Sequence, residues 1–402
     1  MGRRGVSVVA RKGNVHMKEE GGDDGSQLEA APAVFILILN WNGWPDTIEC
    51  LESVLRLDYP TFTVGVCDNG STDDSLGYII AWAEGRLDVH VPSNHPLRAF
   101  SFPPIPKPIR FVLYDPCQAD HGRSPSDAEA RLILISTGAN LGFAGGNNVG
   151  LRYAIARRYD YVFILNNDTV VQHDALAEMI RNVAGKPEIG MVAPAVYDYA
   201  QNDIVDRMGL ALTRAGLAYE RKSGNDGVLF CPSGCAALYS RSLLLAAESG
   251  GHYFDEDFFA YYEDIDLGFR AQRKGFKALL AEGAIIYHKG GATSGGRGSL
   301  LSVYLGHRNA IWSVVKNFPT RMLVTESPWI ILGNVLELLG NFFRPEFRSV
   351  VKGKWHGLVG AAGAWLMRRE EAMPGQGNVN LSIDGKRLPF RRGPRRRTGG
   401  TI

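Results

Sequence analysis

The chain has 402 residues, 45% of them hydrophobic, which suffices for one large core or two ordinary ones and excludes a wholly disordered or fibrous protein. A formal net charge of +2 leaves no global footprint for nucleic acid, although both ends are rich in Arg and Lys while carboxylates gather mid-chain. The five cysteines, Cys50, Cys67, Cys117, Cys231 and Cys235, lack the spacing of a zinc site or a disulfide framework, so reduced thiols in a cytoplasmic compartment are expected.

Residues 1–31 scatter basic and acidic side chains among glycines, carry no apolar run of signal-peptide length, and read as a disordered arm. Order begins at Ala33. A continuous apolar strand over 34–39 leads through Asn40-Trp41-Asn42-Gly43-Trp44-Pro45 into a helical pattern over about 46–57. A second strand over 63–67 ends in Asp68-Asn69-Gly70-Ser71, followed by helical spacing over 76–83. Two consecutive strands thus end in polar loops at one sheet edge, where α/β proteins place ligands.

Between about 86 and 130 the pattern lapses among prolines, which reads as an insertion or lid-like loop with one short strand near 109–114. The sheet resumes at 131–135, before Asn140-Leu141-Gly142-Phe143-Ala144-Gly145-Gly146-Asn147-Asn148. Glycines there admit two readings. They let backbone amides approach a diphosphate at a helix start, or they let a helix pack closely on a strand.

The stretch Tyr161-Val162-Phe163-Ile164-Leu165-Asn166-Asn167-Asp168 reads as a strand buried on both faces that delivers oxygen ligands to its C-terminal edge. Helix cap residues are the plainer reading of Asn166, Asn167 and Asp168. A helix over about 174–184, a strand over 190–197 and short antiparallel strands over 206–239 follow. In the stretch 254–270, aromatics surround Glu263, Asp264 and Asp266. Such surroundings desolvate a carboxylate and raise its pKa toward a value suited to a general base.

Taken together and in order, these five motifs resemble the family 2 inverting glycosyltransferases of the GT-A fold, over about 33–319, with the rhamnosyltransferase-like subgroup as the nearest pattern. The resemblance implies a Rossmann-like α/β fold, with a mostly parallel mixed sheet flanked by helices and a C-terminal helical extension. A GT-A domain is expected over 32–305. Residues 32–170 form its nucleotide-sugar half and 171–305 its acceptor half.

It further implies that Asp68 holds the base or ribose of a dTDP- or UDP-sugar, beside Asn40, Trp41, Asn42 and Asn69. Asn140, Gly142, Phe143, Gly145, Asn147, Asn166, Asn167 and Glu263 join the substrate site. Asp168 matches the last residue of the family's DxD motif and, with His288, implies a site for Mg²⁺ or Mn²⁺ at the diphosphate. Asn166 departs from that motif's first aspartate and lowers the site's charge. Asp264 matches the catalytic base of a single displacement onto a glycan or lipid-linked acceptor in polysaccharide assembly. A sugar-nucleotide-binding protein without turnover is the alternative from another class.

Past Gly290 a glycine-rich loop contains Arg297, a candidate diphosphate partner. A helical extension is expected over 306–370. Its apolar stretch 322–343 is interrupted by Glu326, Asn334 and Glu337 and reads as an amphipathic or docking helix rather than a span. The basic run Arg391, Arg392, Arg395, Arg396 and Arg397 lies in an expected disordered tail, 371–402, suited to peripheral contact with the inner face of the cell membrane.

Overall fold

Alternate side chains of β1 (Val34–Asn40) enter two different cores: Val34, Ile36 and Ile38 face one, Phe35 and Leu37 the other. A strand apolar on both faces belongs mid-sheet with helices on each side. The computed structural model, which describes residues 31–88, 94–121, 130–290, 299–366 and 383–384, has it there. β1 pairs in parallel with β2 (Phe62–Asp68) and β5 (Tyr161–Asn166). β2 continues in parallel to β4 (Leu132–Ser136), and β4 to the edge strand β3 (Phe111–Tyr114).

Beyond β5 the sheet becomes mixed. β11 (Ala236–Ser240) runs antiparallel between β5 and β7 (Ile189–Asp198), β7 pairs in parallel with β12 (Lys277–His288), and β12 is bordered antiparallel by β6 (Thr169–Val171). The short β8 (Val205–Arg207) attaches to β7, and β9 (Leu210–Thr213) pairs with β10 (Ala218–Glu220) in a separate small sheet. The expected mixed sheet, parallel units first, is therefore the one observed.

Helices α1 (Trp44–Val54), α2 (Ser75–Ala83) and α6 (Ala175–Val183) cover the first core. Helices α5 (Gly142–Ala156), α7 (Arg241–Ala247), α8 (Glu263–Arg273) and the end of α9 (Leu300–Asn317) cover the second. The described part of the insert is no loose lid. It holds α3 (Arg98–Ser101), β3 and α4 (Pro116–His121), and Glu52, wholly buried in α1, accepts from Trp82 Nε1 (2.9 Å), Lys107 Nζ (2.9 Å) and Ile105 N (2.8 Å).

The expected C-terminal helical extension is present, and it begins a few residues earlier than 306. α9 starts at Leu300, and its residue Val314, with Phe318, belongs to the second core. α10 (Thr320–Asn341), α11 (Phe347–Val359) and α12 (Ala361–Leu366) follow. The arm 1–30, Arg297 and the arginines of the tail lie outside the described residues.

Two glycines of α5 let it pack closely on the sheet. A Cβ on Gly146 would sit 2.6 Å from Leu39 Cδ1, and one on Gly150 2.3 Å from Leu37 Cδ1, so these glycines let α5 lie against β1. Gly65 on β2 likewise makes room for the Phe35 ring, whose Cζ is 2.1 Å from where a Cβ would stand. None of the five cysteines is in a disulfide, and only Cys117 is exposed. Gly65→Ala is expected to lower unfolding stability by about 1–3 kcal/mol through overpacking, measured by urea titration with tryptophan fluorescence.

Candidate active site

The loops after β1 and β2 are laced together at the sheet's C-terminal edge. Asp68, 5% exposed, accepts from Asn40 Nδ2 (2.7 Å) and from the hydroxyl of Ser71 (2.6 Å). Asn42 accepts from the backbone of Thr72 at 2.7 Å, and its left-handed backbone, φ 51°, is one that Asn tolerates. Asn167 is buried and donates to Thr47 Oγ1 (3.0 Å) and the Gly43 carbonyl (3.3 Å), so it braces the β1–α1 turn from below.

Asn69 and Asn140 make a second brace. Asn69 donates to Asn140 Oδ1 and the Gly142 carbonyl, both at 3.1 Å, which ties the start of α5 to the end of β2. Gly145 and Asn147 lie buried within α5, where the Asn147 amide donates to the carbonyl of Phe143. Trp41 is half-buried; Trp44 behind it stacks on Tyr78 at 4.3 Å.

Asp168 follows β5, and strand register brings His288 to it. β12 pairs with β6 so that His288 faces Thr169, and the Lys289 amide donates to the Asp168 carbonyl at 2.9 Å. His288 Nε2 lies 3.2 Å from Asp168 Oδ1 and 3.4 Å from Asn166 Nδ2. On the ring's other side, Nδ1 is 3.0 Å from Asp206 Oδ2. Asp206 sits on β8 beside a register shift in its pairing with β7, which aims the carboxylate at the imidazole. Burial opposes a charged ring, but the bonds to Asp168 and Asp206 outweigh it and raise the His288 pKa above 6.5.

The donor set fits a divalent cation. Cis ligands at about 2.1 Å in an octahedral shell lie about 3.0 Å apart, close to the Asp168–His288 separation of 3.2 Å. An imidazole donating from Nδ1 to a carboxylate is the usual outer support of a metal-binding histidine. A nitrogen ligand beside a carboxylate favours Mn²⁺ over Mg²⁺. Among the described residues no group of three or more His, Cys, Asp or Glu forms a self-sufficient cage, so substrate oxygens and water would complete the shell.

Asp264 opens α8 and is 8% exposed. Its Oδ2 accepts from the Gly234 amide (2.9 Å) and its Oδ1 from the Ile265 amide (2.8 Å). One residue along, the Cys235 carbonyl accepts from the Asn166 amide at 2.8 Å. The segment from Ser233 to Cys235 is thus a shared wall between the Asp264 carboxylate and the end of β5. Burial raises the pKa of Asp264 despite these amides, and burial together with Asp264 raises Glu263 further. Phe143 stands beside Gly234, where a Cβ would come within 3.1 Å of its ring, and dries this side of the pair.

The backbone before Glu263 is strained. Phe259, Tyr261 and Tyr262 have φ of 64°, 68° and 74°, a conformation costing about 1–3 kcal/mol for each such residue. It is held from α9: the Asn309 amide nitrogen lies 2.9, 2.9 and 2.7 Å from the carbonyls of Phe258, Ala260 and Tyr261. Arg308 donates to the carbonyls of Asp257 and Phe258 at 3.0 Å. From α5, Asn148 accepts from the amides of Tyr253 and Phe254. Asp206, Arg308 and Asn309 escape a reading by motif, since their partners are backbone groups or residues far along the chain. The polar trio His307-Arg308-Asn309 within an apolar helix hinted at the last two.

This mixed sheet, with polar loops and an Asp–His pair at its C-terminal edge, defines a GT-A glycosyltransferase domain. The model for glycosyl transferase family 2 matches residues 35–95, and that for glycosyl transferase family group 2 matches 161–313. The chain belongs to glycosyltransferase family 2 and is an enzyme of that class.

It is 24% identical over 243 residues to the low-salt glycan biosynthesis hexosyltransferase Agl10 of Haloferax volcanii, covering 57% of this chain and 76% of that protein. An uncharacterized protein of Mycobacterium tuberculosis H37Rv is 32% identical over 164 residues, which is 40% of this chain and 59% of the relative's length. The crystal structure of GalNAc-T7 with UDP, GalNAc and Mn²⁺ superposes with a TM-score of 0.51 at 12% identity, covering 77% of this chain and 51% of that one, a likeness of fold.

Asn309→Ala should leave nucleotide affinity unchanged and lower kcat about a hundredfold, because a displacement of about 1 Å at a catalytic group costs that much. Steady-state kinetics beside calorimetric nucleotide titration measures the split.

Proposed function

We propose that the chain transfers a sugar from a nucleotide diphosphate donor to a glycan or lipid-linked acceptor with inversion of the anomeric centre. The reading is carried by one observation: Asn166, whose side chain adjoins His288 of the Asp168–His288 pair, and the Asp264 carboxylate bond to adjacent residues of one short segment, Cys235 and Gly234. In this reading Asp68, with the loops from Asn40 to Asn42 and at Asn69, receives the nucleotide. Asp168 and His288 hold Mn²⁺ or Mg²⁺, which when bound offsets negative charge on the departing diphosphate. Asn166, half-buried beside His288, offers an amide to the donor in place of a second carboxylate.

Asp264 takes the proton from the acceptor hydroxyl as that oxygen attacks from the face opposite the leaving group. Glu263 is buried beside it, and burial together with the neighbouring Asp264 raises its pKa well above the usual carboxylate range. The rhamnosyltransferase-like pattern makes dTDP-rhamnose the first donor to try and UDP-sugars the second. Glycan assembly at the inner face of the cell membrane is the corresponding setting.

Titration calorimetry with nucleoside diphosphates, with and without Mn²⁺, tests the donor half. Metal-dependent binding of a pyrimidine diphosphate that disappears in Asp168→Ala is expected; binding indifferent to both would sink it. For the base, Asp264→Asn should retain that binding while turnover falls by about 10²–10⁴-fold. Product NMR should show the inverted anomer.

The pH profile follows from burial. A base with a raised pKa is lost as pH falls through that value, so the acid limb of kcat/KM should lie above the 3.8 of an ordinary aspartate. A limb at or below that value would exclude Asp264 as the base.

A further inference from the structure

The last three helices are built inside out. Along α10 the large apolar residues Val324, Ile331, Val335, Leu339 and Phe342 fall on one stripe at helical spacing, and all are exposed; Phe343, just beyond, is 95% exposed. On α11 the same holds for Val351, Trp355, Leu358 and Val359. The polar side chains instead face inward. Glu337 accepts from Lys354 (2.8 Å) and faces His307 (3.3 Å), Lys354 also donates to Asn334 (2.6 Å), and Glu326 pairs with Arg214 (2.7 Å). Glu337 is held at a pKa of about 2: burial works against its charge, and His307 and Lys354 overcome it.

In water this arrangement exposes what folding ordinarily hides. We infer that the outward face of α10 and α11 docks on an anionic lipid bilayer, lying in the headgroup region. Charge decides the occupant. Arg321, Arg344, Arg348 and Lys352 are exposed around the apolar stripe, whereas of the three carboxylates from Thr320 to Leu366, Glu326 and Glu337 are spent on ion pairs and Glu346 is half-buried. Two copies meeting through this face would oppose these cations to one another, while an anionic surface would neutralise them. Trp355 and Trp365, both exposed, are the residues that favour such an interface.

α10 has the length and apolarity to cross a membrane, yet Met322, Leu323 and Ile330 pack on the second core of the GT-A domain. It therefore lies along the surface rather than through it. Glu326, Asn334 and Glu337 mark the inner face of α10. The inference does not depend on which sugar is transferred.

Flotation of the full chain with vesicles of phosphatidylcholine alone, or mixed with phosphatidylglycerol, tests it. Binding to the mixed vesicles, weakened by salt, is expected. Each of Arg344→Ala and Arg348→Ala should lower partition about fivefold, and Leu339→Glu with Trp355→Glu should abolish it while circular dichroism stays unchanged. Absence of binding to either vesicle overturns the inference, as does undiminished binding of the Glu double variant, which would put the contact elsewhere in the chain. Sedimentation equilibrium covers the remaining case: a dimer that the double variant splits, with vesicles unbound, makes the face an interface between copies.

Discussion

Backbone pairing at the end of β12 is the constraint on which the site rests. One residue of register between β12 and β6 decides whether His288 meets Asp168 or turns to the opposite face, because side chains alternate along a strand. That pairing brings two groups far apart in sequence to 3.2 Å, and a buried imidazole next to a buried carboxylate has to be satisfied on its far side as well. Asp206 meets the requirement. The register shift between β7 and β8 is the local distortion that lets it do so.

How much of this the sequence carries depends on the range over which each residue acts. β1, β2, β4 and β5 are readable because a strand buried on both faces is apolar without interruption, and their loops are readable because Asn, Asp and Gly gather there. The antiparallel β11 in the sheet's middle carries no mark of its place between β5 and β7, since pairing partners are chosen by tertiary packing. The packing role of Gly146 and Gly150 shows only in which neighbour a Cβ would strike. Asn309 stayed invisible for a similar reason. Its partners are three carbonyl oxygens, and carbonyls have no signature in a sequence.

α9 joins two roles that the sequence divides. Its middle turn pins the strained backbone leading into Glu263 and Asp264, while its His307 faces Glu337 beneath α10. The helices after the GT-A sheet therefore share a rigid element with the buried Asp264 carboxylate. A force on their outer face is felt at the loop through one helix rather than through a flexible tether, which makes α9 a two-sided brace instead of a linker.

The thiols set a practical boundary on the chemistry the molecule presents. Burial holds Cys50 and Cys67 near a pKa of about 12 and Cys235 near about 11, and raises Cys231 well above its ordinary value, so thiolate is scarce at all four. Cys117, on α4 of the insert, is exposed. A maleimide dye added to the native protein would find this one address among the described cysteines. It would report on the proline-rich insert without any engineered residue.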